Sequence, residues 1–118
     1  MFREVLARAG SELPGCLGAA VVGIDGVLVE QWTAQESATM EPLAAEFTTV
    51  IKAARAALAN MEGRALTELT LRTVNWTGVV RTIGVDYFLI LLTAPDELLG
   101  RSRFVVQRAV PLLEREIA

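Results

Sequence analysis

A chain of 118 residues with a net charge of −3 and 53% hydrophobic residues is long enough to bury one core and too apolar to be disordered. It has no lysine-arginine cluster, which argues against a nucleic-acid partner. With no histidine and one cysteine, Cys16, it has no internal disulfide, no multi-cysteine metal site and none of the commonest general base.

Residues 1–118 read as a single domain. The N-terminus mixes charged and apolar residues and lacks the apolar run of a signal peptide. The longest apolar runs, such as Tyr87 to Leu92, are too short to span a membrane. The expected location is the cytoplasm. So much apolar surface on so small a body implies that some of it is covered by a partner.

Phe2, Val5, Leu6, Ala9 and Leu13 share one helical face, with Arg3, Glu4, Arg8 and Glu12 off it. Pro14-Gly15 ends that helix. Leu17 to Ile24 is apolar without alternation, as expected of a strand covered on both faces. Asp25-Gly26 predicts a two-residue type I′ hairpin into a second strand, Val27 to Trp32. After a polar loop, a long helix spans about Glu41 to Met61, with Pro42 tolerated in its first turn and Gly63 closing it.

Leu66 to Val74 alternates, with Thr67, Leu69, Leu71 and Thr73 on one side and Glu68, Thr70 and Arg72 on the other. Asn75 to Gly78 reads as a turn, Val79 to Ile83 as a strand, and Gly84-Val85-Asp86 as another turn. Tyr87 to Thr93 is again continuously apolar. Asp96 is a suitable cap for a last helix, whose core stripe holds Leu99, Val106, Val110, Leu113 and Ile117; Pro111 should kink or split it. The order is α-β-β-α-β-β-β-α, an α+β arrangement. Short connections make the sheet mainly antiparallel, with helices on both faces.

Chemistry is scarce. No phosphate-binding loop, nucleophile elbow or metal-ligand cluster is present. Gly15, Gly18 and Gly23 read as packing and turn glycines. Cys16 has no histidine to activate it, and Asp25 and Asp86 are explained by their turns. Trp32 suits strand-end packing, whereas Trp76 suits packing or ligand stacking equally. Arg101, Arg108 and Arg115 recur every seven residues, a solvated face with Glu97 pairing to Arg101. The chain does not read as an enzyme.

The middle helix is the informative oddity. Leu43, Phe47, Val50, Ile51, Ala54, Leu58 and Met61 form its core stripe. Opposite them, where charge is expected, stand Ala45, Thr48, Thr49, Lys52, Ala56 and Ala59. A face of small residues lets another helix approach closely, while alanine's helix propensity is the plainer explanation.

Taken in order, PGCLGAAVVGIDGVLVEQW, LAAEFTTVIKAARAAL, LTELTLRTV, VVRTIGVDYFLILLT and LLGRSRFVVQRAV resemble the Roadblock (dynein light-chain) family. That family includes the bacterial regulators of Ras-like gliding-motility GTPases. The resemblance implies a five-stranded antiparallel sheet of profilin-like layering, the middle helix on one face and the terminal helices on the other. It further implies no cofactor, and homodimers joined through the middle helix and third strand. The implied function is a non-enzymatic platform for a small GTPase; a structural adaptor and a small-molecule sensor are the alternatives. If Leu66 to Val74 pairs with its own copy about a twofold axis at Thr70, Glu68 faces Arg72 of the second copy. On the strand alone, Arg72→Glu should then break pairing and the Glu68→Arg, Arg72→Glu swap should restore it.

Overall fold

The structure, a computed structural model, describes residues 2–62 and 65–117. Its elements are α1 (Phe2–Ser11), β1 (Cys16–Gly23), β2 (Leu28–Thr33), α2 (Glu41–Asn60), β3 (Glu68–Arg72), β4 (Thr77–Ile83), β5 (Tyr87–Thr93) and α3 (Leu99–Ile117). This is the predicted order. All neighbouring strands are antiparallel, in the spatial order β2-β1-β5-β4-β3.

Successive side chains of a strand point to opposite faces, so a strand apolar at every position needs two roofs. In β5, Leu89 and Leu91 join a core with Leu6, Val106 and Leu113 of α1 and α3. Phe88, Ile90 and Leu92 join a second core with Phe47 and Ile51 of α2. β1 divides the same way, Ala19 and Val21 against Ala20 and Val22. Burying each large apolar side chain stabilises by about 1.5–3 kcal/mol. The terminal helices therefore cover one face and α2 the other.

Several details depart from the sequence expectation. The first hairpin has a three-residue loop: Gly26 donates to Gly23, and Gly23 to Val27. Within it only Gly26, at φ 89°, is left-handed, and the Asp25 carboxylate accepts from Val27 N–H. That is a turn closed by a left-handed glycine, with Asp25 bracing the backbone, rather than type I′. Ile24 belongs to this loop and Leu17 is exposed.

Val74 lies beyond β3, whereas Thr77 and Gly78 open β4. The turn is tighter than expected because the Thr73 hydroxyl accepts from the N–H groups of Asn75 and Trp76. α2 ends at Asn60 and leaves Met61 exposed; Gly63 lies outside the described residues.

Asp96 does not cap α3. Glu97 accepts from Leu98 N–H instead, and its other oxygen accepts from Gly15 N–H, stapling the helix start to the α1–β1 loop. Pro111 does not split α3, which is one helix. Its ring lies on the exposed side, where the carbonyl it displaces can tilt toward water.

Candidate partner interface

α2 is rich in alanine, the best helix former, and carries Pro42 in its first turn. Only Ala44, Phe47, Thr48 and Ile51 are buried, none of them beyond the middle of the helix. These positions follow the i, i+3, i+4, i+7 spacing of one helical face. Thr48 therefore faces the sheet, not the outward face predicted for it. Its hydroxyl donates to the Ala44 carbonyl, so the helix itself satisfies the group and burial leaves nothing unpaired.

Ala45, Thr49, Lys52, Ala56 and Ala59 are exposed as expected. Lys52 supplies the one charge among them. Arg55, at the border, donates to the Val85 carbonyl of its own chain. Beyond the buried stripe, Val50, Ala54 and Leu58 are only half-buried.

β3 is an edge strand paired only to β4. Thr82 N–H donates to the Thr67 carbonyl, and Thr73 N–H to that of Trp76. In an antiparallel ladder bonded pairs alternate, so odd positions of β3 bond to β4 and even positions turn their backbone groups outward. Glu68, Thr70 and Arg72 thus carry the free donors and acceptors of the edge.

Their side chains lie on the α1/α3 side, because Thr70 pairs with Val79 of that core. Leu69 and Leu71 lie on the α2 side and remain half-buried. The predicted residues thus occupy two surfaces, α2's outward face and the far side of the β3 edge. The open edge lies between them.

Two basic neighbours of Glu68 lie outside the residues singled out from the sequence. Glu68 meets Arg81 of β4 at 3.5 Å and Arg103 of α3 at 2.7 Å. Arg81 stands directly opposite Glu68, a match that counting outward from the hairpin turn would reveal. No local signal links Glu68 to Arg103. Arg72 points its guanidinium at the Pro95 carbonyl, 3.4 Å away.

The remaining candidates are structural. Cys16 is buried, and that burial, opposed by a hydrogen bond with the Gly18 backbone and reinforced by the Glu97 charge, pushes its thiol up to about 11. Trp32 covers Gly10 of α1, where a Cβ would come within 2.3 Å of the ring. Trp76 packs on Phe47 with ring centroids 5.9 Å apart. Arg101 pairs with Glu97 and Arg108 with Glu12. A groove of about 310 Å³ between α1 and α3 is lined by Val5, Ala9, Leu112 and charged residues. Among the described residues there is no group of three potential metal ligands, and no helix long and apolar enough to cross a membrane.

No protein-family model and no curated protein matches the sequence. Solved structures do match. A Roadblock/LC7 domain from Streptomyces avermitilis superimposes with a TM-score of 0.88 at 13% identity, over 97% of this chain and 95% of that one. MglB of Myxococcus xanthus gives 0.88 at 13%, over 98% and 94%. MglC of the same organism gives 0.72 at 26%, over 98% of each chain. The layering extends to profilin II of Acanthamoeba castellanii, at 0.65 and 16% over the whole of both chains. Superimposing over nearly its whole length on these domains, the chain has the Roadblock/LC7 fold.

Proposed function

We propose that this protein is a dimeric, non-enzymatic platform that binds and regulates a Ras-like small GTPase in the cytoplasm. The observation that carries the reading is the pairing of a charge-poor outward face on α2 with an unblocked edge at β3. Val50, Ala54, Leu58, Leu69 and Leu71 stay half-exposed in one copy. A second copy seated on α2 and β3 covers them and joins two sheets into one. The Roadblock fold, shared with MglB, and the sequence resemblance to regulators of gliding-motility GTPases support the choice of partner.

The test is calorimetry with the Ras-like GTPase encoded nearest this gene, in GDP and GTP-analogue forms. Binding that differs between the two forms is expected. Negligible heat for both, from a protein that is dimeric, would favour a structural adaptor. Ala56→Glu places a bulky charge on the exposed face at only a small helix-propensity cost. It should weaken dimerisation, GTPase binding or both by about 1–3 kcal/mol, the usual cost of overpacking, with helicity by circular dichroism unchanged.

A further inference from the structure

We propose that the β3 edge is fitted to a partner strand bearing an acidic residue opposite Glu68. A related chain carrying that acid would then pair with it more tightly than an identical copy does. The inference rests on β3 being the pairing edge.

In a self-pair about Thr70, the residue opposite Glu68 is Arg72 of the second copy, on the same face of the sheet. Glu68, however, is already shared by Arg81 and Arg103, at 3.5 and 2.7 Å. Its side chain is only 16% exposed, so water screens the cluster incompletely. Each end of a self-paired seam therefore gathers three guanidiniums around one carboxylate. Among the described residues Arg72 meets no carboxylate of its own chain; its contact is a carbonyl.

The edge offers open backbone groups at Glu68, Thr70 and Arg72, which fit a strand. The charge beside them fits an acid at the one position where an identical copy supplies a base. Directly opposed unlike charges favour strand pairing and like charges oppose it. This reverses the sign expected from β3 considered alone, because Arg72→Glu now balances the cluster. The double swap with Glu68→Arg restores the excess.

Sedimentation equilibrium on the wild type, Arg72→Gln and Arg72→Glu reads the sign directly. Each step should tighten self-association, by about twofold to thirtyfold for Arg72→Glu, since the contact occurs at both ends of the seam. The advantage should shrink as salt rises. Weaker or unchanged association of Arg72→Glu overturns the proposal, as does a double swap tighter than the single variant. A wild type that is monomeric while Arg72→Glu dimerises supports it.

Thr70→Pro tests the underlying reading separately. The Thr70 N–H points outward, so proline removes no bond to β4, and edge strands tolerate it there. Loss of the Arg72→Glu dimer in the Thr70→Pro background is expected. Its persistence would show that the copies meet elsewhere.

Discussion

The two edges of the sheet are defended very differently. β2 carries a bulge: Val21 pairs with Glu30 and Val22 with Leu28, leaving Val29 without a partner. The N–H of Gln31, turned outward by the ladder, is taken by the Glu30 carboxylate at 3.1 Å. The Gln31 side chain holds Met40 N–H at 2.7 Å, and Trp32 is pressed onto α1 at Gly10. β3 has five residues in unbroken register with β4. Among the described residues, no side chain caps its outward groups. Bulges, charges and covering elements are the means by which sheets refuse extra strands. The chain applies a bulge and covering contacts at β2 and neither at β3, whose charges select what pairs there rather than closing it, so the straight, uncapped edge points to where the sheet can be extended.

The largest effect should come from disturbing the sealed edge. Gly10→Val drives a side chain into the Trp32 ring and should cost about 1–3 kcal/mol in denaturant unfolding. Hydrogen exchange should then accelerate in β2 before β3. Equal acceleration at both edges would mean that α1 guards the whole sheet and not β2 in particular.

A smaller change opens the same edge chemically. Glu30→Ala frees the Gln31 N–H at a cost of about 0.5–1.5 kcal/mol. Additional concentration-dependent association should follow in light scattering. Unchanged particle size would leave the bulge as a sufficient guard.

The finest comparison uses one thiol on each edge. Wild-type Cys16 should be almost silent toward alkylating reagents at pH 8. Its fold-raised pKa favours the neutral thiol, a stabilisation present below the ordinary thiol range near 9 and lost as pH climbs past about 11. Against that background, oxidation should link Thr70→Cys into covalent dimers and leave Val29→Cys monomeric. The opposite result would exchange the roles of the two edges.

The sequence disclosed what depends on local pattern. β1 and β5 could be recognised as doubly roofed because polar residues are missing from both their faces, and the resemblance of the ordered segments to the Roadblock family implied the architecture. Thr48 was misplaced because polarity suggested solvent, whereas a hydroxyl bonded to its own helix can be buried cheaply. The Asp25-Gly26 pair serves two loop lengths, and only strand register decides between them. The charge cluster at the candidate interface was half hidden. Glu68 and Arg72 belong to one segment, but Arg103 arrives from α3, 35 residues from Glu68, and no periodicity announces such a meeting.

The strand order also has a consequence for how the chain assembles. β1 and β2 form one hairpin, and β3, β4 and β5 a meander, each from residues close in sequence. The two pieces join along a single line, β1 against β5, where Gly23 pairs with Tyr87 and Cys16 with Thr93. Closing that line requires the whole intervening chain, α2 included, to loop back, and the entropy of such a closure must be met before the new contacts reward it. The hairpin and the meander can form early and independently. Loop closure therefore predicts that their union along β1–β5 is the slower step, with α2 as the tether between the halves.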